Sequence, residues 1–166
     1  MAILRGVLST RVTIKDVAPD AYDALAALLS ELYASEGRPT RIAPEDVAGM
    51  MAQTSPKLSA IVAYDGDTAV GAVIYYQGFD VQSMAPGVHI ADMVVAARYR
   101  KRGIGRQMIA HVAERTRLAG GAWMSLTCLK ENLAGNKFYQ ALGFQMVSVQ
   151  FYAIGASGME ALSPHR

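Results

Sequence analysis

Cysteine is almost absent from this 166-residue chain: Cys128 stands alone, so no disulfide can close within it. That points to a reducing compartment, and the cytoplasm is the expected location. Long apolar runs are missing too. No stretch approaches the ~20 apolar residues that span a bilayer, and the opening MAILRGVLSTRV is too short an apolar run for a signal peptide. No membrane partner is therefore expected. His, Cys and acidic residues do not cluster at metal-ligand spacing, so no metal is expected. Acids are missing between Arg98 and Arg106, where Arg98, Arg100, Lys101, Arg102 and Arg106 gather. Setting those five aside from the 16 basic residues leaves 11 against 14 acidic ones. The positive charge is thus local. A nucleic-acid binder more often spreads a basic stripe over a whole face, so no nucleic acid is expected.

A hydrophobic share of 52% and a charged share of 18% describe an ordered globular chain. Its length suits one domain, 1–166, with a real core. Val12 to Val17 alternates as a first strand. Pro19-Asp20 opens a helix with Leu25, Leu28, Leu29 and Leu32 on one face. Pro44-Glu45-Asp46 reads as the first turn of a second, short helix. Leu58 to Tyr64 and Ala69 to Gln77 are strands joined by Asp65-Gly66-Asp67. Gly78 to Gly87 reads as a loop. Val88 to Val95 is a buried strand, and Ile104, Met108, Ile109 and Val112 mark a long helix ended by Gly120-Gly121. Trp123 to Leu129 is a strand, Leu133 to Leu142 a helix, and Phe144 to Ala153 a last long strand. Met159 to Leu162 reads as a brief final strand, and Ser163 to Arg166 as a frayed end. The sheet should be mixed, with helices on both faces, because strand 88–95, its helix and strand 123–129 form a βαβ unit.

The basic stretch lies where strand 88–95 passes into the long helix. A helix N-terminus carries about half a positive charge, so acids are favoured there. Cations at that end make sense if an anion sits in the loop, with Gly103 and Gly105 letting backbone N–H groups approach phosphate oxygens. A dinucleotide fingerprint would need a third glycine where Met108 stands, and no Gly-Lys-Ser/Thr of a Walker loop is present.

Arg100-x-x-Gly103-x-Gly105, after a buried strand and before a helix, resembles the acyl-CoA-binding motif of the GCN5-related N-acetyltransferase (GNAT) family. A second segment, from Asn132 through Tyr139 to Gly143-Phe144, resembles that family's Asn-x₆-Tyr-x₃-Gly-Phe. The element order β-α-α-β-β-β-α-β-α-β is similar to the family's own. The resemblance implies an α/β fold with a mixed sheet of six or seven strands and about four helices. It implies an enzyme that uses acetyl-CoA to acetylate an amine, and a homodimer. Arg100, Lys101, Arg102, Gly103, Ile104, Gly105 and Arg106 would hold the pyrophosphate. Backbone N–H groups at Met93, Val94 and Val95, with Asn132, would bind the pantetheine arm where the central strand bulges. Tyr139 would protonate the departing thiolate.

Asp92 stands inside an apolar strand, where a carboxylate must find partners or change its pKa. It either orients or deprotonates an amine, or makes a structural hydrogen bond. His89 lies three residues away and, on a regular strand, points to the opposite face. The acceptor site is expected from Tyr33, Glu36, Tyr75, Tyr76, Asp80 and Asp92. The run Gly71 to Tyr76 followed by His89 to Val95 resembles the branch that acetylates diamines and polyamines. That branch has Glu-Asp where this chain has Ala91-Asp92. The reading is therefore a small primary amine as acceptor. The alternatives are a protein or peptide amine, or a non-catalytic acyl-CoA-binding module.

Overall fold

The structure is a computed structural model that describes residues 11–163. The first ten residues of the opening run and the last three of the expected frayed end lie outside the described residues. Two compact units, Met1–Thr127 and Cys128–Arg166, are described separately.

The first unit contains a five-stranded sheet in the order β1-β2-β3-β4-β5. These strands are Thr13–Asp16, Leu58–Asp65, Thr68–Asp80, Ala85–Val95 and Trp123–Leu126. The first four are antiparallel neighbours, and β5 pairs parallel to β4. The sheet is mixed, as its βαβ pattern predicts. Helices α1 (Tyr22–Ser35) and α2 (Pro44–Met51) pack on one face, where Leu25, Leu28, Leu29 and Val47 meet Ala60, Val62, Ala72, Ile74 and Val94. Each large side chain buried this way stabilises the fold by roughly 1.5–3 kcal/mol. A 3₁₀ turn, Pro19–Ala21, leads into α1. The Asp46 carboxylate accepts a 2.8 Å bond from the Ala43 N–H and so satisfies the start of α2.

Helix α3 (Ile104–Leu118) buries Ile104, Met108, Ile109 and Val112. It packs close to the sheet: a Cβ on Gly71 would fall 2.9 Å from the Met108 terminal carbon and 2.8 Å from the Val94 carbonyl oxygen. Glycine is the residue that leaves room there. At the far end of α3, Arg117 donates to Glu114 at 2.8 and 2.9 Å, an exposed pair three residues apart. Arg115 pairs with Asp16 of β1.

The expected loop at 78–87 is instead the tip of a long hairpin. β3 and β4 stay paired out to Asp80↔Ala85. The Asp80 carboxylate closes this turn, accepting from the N–H groups of Gln82 (3.2 Å) and Ser83 (3.1 Å). Pro86 lies in β4, and the glycine-proline signal that suggested a loop is absorbed near the sheet end.

The second unit holds α4 (Leu133–Ala141) and α5 (Ala156–Leu162). Two strand expectations fail here. Residues 144–153 form no strand, and Met159–Leu162 belongs to α5. The alternation of Val147, Val149 and Phe151 implied a buried face, yet these three are 73–83% exposed. An alternating pattern specifies which side of a strand is apolar, but not that a neighbouring strand will pair with it. In α5 the helix formers Ala, Met, Glu and Leu outweigh a four-residue alternation too short to carry a period. The described residues therefore show five strands where six or seven were expected.

Candidate active site

β4 carries most of the site. Its register with β3 slips at one point: Ile74 pairs with Asp92, but Tyr75 pairs with Ile90. Ala91 is thus an extra residue, a β-bulge. The bulge resets the alternation of everything after it. His89 opposes Tyr76 and Asp92 opposes Ile74, and those two β3 residues share a face. His89 and Asp92 therefore lie on the same face, contrary to the expectation for a regular strand. It is the α1 face, since Ile74 and Val94 belong to the core beneath α1.

β4 and β5 pair over only four positions, Gly87↔Trp123 to Ile90↔Leu126. Beyond Ile90, β4 continues five residues while no described strand pairs along that edge. Met93, Val94 and Val95 lie in this run, paired on the other side with Val73, Ala72 and Gly71.

On the α1 face, the Tyr33 hydroxyl donates to Asp92 Oδ2 at 3.4 Å, longer than a normal O–H···O bond. Burial raises the Asp92 carboxyl above the usual carboxylate range, opposed by the Tyr33 hydrogen bond; nearby Glu36 adds to the rise and Arg38 counters it. Burial also raises the Tyr33 phenol, and the charge of Asp92 adds to that. Arg38 pairs with Glu36 and lies 5.4 Å from the Tyr33 ring centre. The structure thus brings Tyr33, Glu36 and Asp92 together, as the sequence suggests, and adds Arg38.

A second group adjoins on the same face. His89 Nδ1 lies 2.9 Å from Ser125 Oγ, and its ring is tilted against Tyr76 at 5.3 Å. Tyr76, His89 and Ser125 occupy one cross-strand row. Tyr75 does not join them. It pairs with Ile90 on the α3 face, is buried, and has its phenol raised by that burial. Asp80 stays at the hairpin tip, where hydrogen bonds from Ser83 hold its carboxyl below the usual range. Ser125 and Arg38 carry no sequence signal. His89 becomes visible only once the bulge is known.

β4 runs into the basic loop through a 3₁₀ turn, Ala97–Tyr99. Lys101 and Gly103 both have left-handed backbone, with φ of 62° and 78°. Gly103 caps α3, no side chain bonds to that cap, and the first turn contains no acid. Arg98 and Arg102 each stand 5.1 Å from the Tyr99 ring centre. Arg102 also donates to the Arg98 carbonyl, and Arg100 Nε donates to the Val95 carbonyl at 3.0 Å. This ties the loop to the open end of β4. Opposite it, Glu31 of α1 accepts a 2.7 Å bond from the Ala97 N–H. Ile104 and Gly105 are buried at the helix start, and Arg106 opens the exposed side of α3. A helix N-terminus without its own acid, preceded by two left-handed residues and ringed by cations, fits a pyrophosphate.

In the second unit, Asn132 caps α4, its side-chain oxygen accepting a 2.9 Å bond from the Gly135 N–H. Tyr139 sits edge-on between Phe138 and Phe144, with ring centres 5.2 and 5.9 Å away.

The described residues thus form a mixed sheet whose bulged strand β4 leads through a basic loop into a helix start. The model of the acetyltransferase (GNAT) family matches residues 22–144, and the chain belongs to that family. It is 32% identical over 87 residues to the uncharacterized N-acetyltransferase YobR of Bacillus subtilis (strain 168). That match takes in 52% of this chain and spans about a third (32%) of the relative's length. Among solved structures, an integron cassette protein from the mobile metagenome of V. cholerae shares the fold, with a TM-score of 0.74 and 21% identity. The match covers 91% of this chain and 96% of that one. An aminoglycoside acetyltransferase from an uncultured soil metagenomic sample, in complex with sisomicin, gives 0.73 and 18% over 86% and 95%. The ribosomal-protein-alanine N-acetyltransferase of Brucella melitensis gives 0.72 and 19% over 87% and 99%. No helix among the described residues is long and apolar enough to cross a membrane.

Proposed function

We propose that this chain is an N-acetyltransferase that moves the acetyl group of acetyl-CoA to a primary amine of a small molecule. One observation carries the reading. The bulge at Ala91 sets His89 and Asp92, the latter met by Tyr33 of α1, on one face of the strand whose open end leads into the basic loop. An acceptor site and a donor site thus share one strand.

Acetyl-CoA, the donor that enzymes of this family generally use, supplies an activated acetyl thioester and a pyrophosphate. The amides at the start of α3, with Arg100, Lys101, Arg102 and Arg106, hold the pyrophosphate. Backbone N–H groups along Met93–Val95 orient the thioester and stabilise negative charge on its carbonyl oxygen. Asp92 and the Tyr33 hydroxyl hold the acceptor's ammonium. The imidazole of His89 shares their face and takes the proton that must leave before nitrogen attacks. Asn132 and Tyr139 enter on the Asn-x₆-Tyr segment alone, Tyr139 as proton donor to the departing thiolate. A single domain over 1–166, a homodimer and a cytoplasmic location complete the proposal.

The test is thiol release from acetyl-CoA across small amines, amino acids, aminoglycosides and peptides with free N-termini. Turnover with small amines, and little with peptides, supports the reading. Turnover confined to peptides replaces the acceptor class. Cofactor binding with no turnover on any acceptor leaves only an acyl-CoA-binding module.

A further inference from the structure

The acidic cluster around Asp92 carries its own cation. Arg38 follows the C-terminus of α1, its backbone N–H bonded to the Tyr33 carbonyl at 2.9 Å. Its guanidinium donates to Glu36 Oε2 and stands 5.4 Å from the centre of the Tyr33 ring. The hydroxyl of that tyrosine points at Asp92. Two carboxylates and one guanidinium therefore converge on one side chain. A guanidinium keeps its charge at every working pH. Two features here could receive an amine's positive charge apart from Asp92: the Glu36 carboxylate and the Tyr33 ring face. Arg38 engages both. Among the described residues, no cation forms an ion pair with Asp92, the other carboxylate of this cluster.

We propose that Arg38 sets the charge of the acceptor: by occupying Glu36 and the Tyr33 face, it makes the site select a monocationic amine over a diamine or polyamine. The inference rests on the reading of Asp92 as the ammonium site. A second ammonium entering the cluster meets a guanidinium already seated on Glu36, and must displace it or endure like-charge repulsion. Arg38 contributes no proton and touches no reacting atom in this scheme; it acts on specificity through Glu36.

Butylamine and 1,4-diaminobutane, matched in length, form the test pair. Their kcat/KM values are compared in wild type, Arg38→Gln and the Arg38→Gln/Glu36→Gln double variant, each checked by thermal melting. Wild type should favour the monoamine. Arg38→Gln frees Glu36 and should move the ratio toward the diamine by ~3–5-fold, the scale of one ion pair near a surface. The double variant should return the ratio close to wild type. A wild-type preference for the diamine, or an unchanged ratio in a normally folded Arg38→Gln protein, overturns the inference. If wild type acetylates neither amine, the small-amine reading is decided separately, on the wider acceptor panel. Calorimetric titration of the diamine into wild type and Arg38→Gln then decides this inference alone: tighter binding by the variant supports it, and equal affinity overturns it.

Discussion

Replacing Asp92 with asparagine should make the protein more stable and less active at once. Asparagine keeps the shape of the side chain and an oxygen for the Tyr33 hydroxyl, and removes only the charge. In the fold, burial raises the Asp92 carboxyl above its ordinary value of 3.8. A carboxyl with a raised folded pKa binds its proton more tightly folded than unfolded. Its contribution to stability is whole below the unfolded value and is lost as pH rises through the folded one. At pH 8 the wild type therefore holds an ionised carboxylate that its surroundings disfavour. Asp92→Asn should melt higher there, and the two melting curves should converge below about pH 4. The acceptor loses what the fold gains. An ammonium about 4 Å from a carboxylate near a protein surface gains about 4 kcal/mol of Coulomb energy. Desolvation offsets much of this, leaving ~1.5–3 kcal/mol, as for other hydrogen bonds to charged groups. That corresponds to a fall of roughly 10–100-fold in kcat/KM for the amine, with KM for acetyl-CoA unchanged. The assay is thiol release against amine concentration, alongside melting curves from pH 3 to pH 8. A variant that melts lower at pH 8 and turns over normally per folded molecule would refute the reasoning and leave Asp92 as a structural hydrogen-bond partner.

Arg100→Ala should raise the KM for acetyl-CoA and leave the amine's KM alone, with a small drop in melting temperature from the lost bond to the Val95 carbonyl; initial rates over both substrates check this, and an unchanged cofactor KM removes the loop from cofactor binding. Gly87→Ala should be strongly destabilising, because its Cβ would fall 2.3 Å from the Trp123 ring and 2.5 Å from that residue's carbonyl oxygen. The expected loss is ~1–3 kcal/mol, read by chemical denaturation, and wild-type stability would mean that β4 and β5 do not meet this way. Tyr139→Phe keeps the ring packed between Phe138 and Phe144 and removes the hydroxyl. Cofactor affinity should hold while kcat falls by up to ~10²-fold. The defect should shrink with a donor whose thiol is more acidic, and a wild-type kcat under single-turnover conditions would defeat the assignment.

Signals written within a few residues were legible in the sequence. Cations closing around Gly103 and Gly105 after a β-branched run marked the turn from β4 into α3, because helix-end signals are local. The period of Ile104, Met108, Ile109 and Val112 marked α3, and Pro44 with its acids marked α2, for the same reason. The strand expected at Met159–Leu162 failed for a local reason, a run too short to carry a period; elsewhere the deciding partner was distant in the chain. Whether 78–87 forms a loop or extends a hairpin depends on the pairing of β3 with β4. Whether 144–153 becomes a strand depends on a neighbour that the alternation of its own side chains does not supply. The bulge is the sharpest case: the family resemblance implied one in this strand, but the residues themselves do not place it. Nothing in Ile90-Ala91-Asp92 announces an extra residue, since a bulge is a mismatch between two strands and is defined only by the register of both. Yet it decides the site, turning His89 to the face of Asp92. Sequence alone determined that this chain has a strand, a basic glycine loop and a helix in acetyltransferase order. The tertiary structure decided which side chains share a face with Asp92, because face and proximity follow from the pairing of strands and the packing of α1 against them.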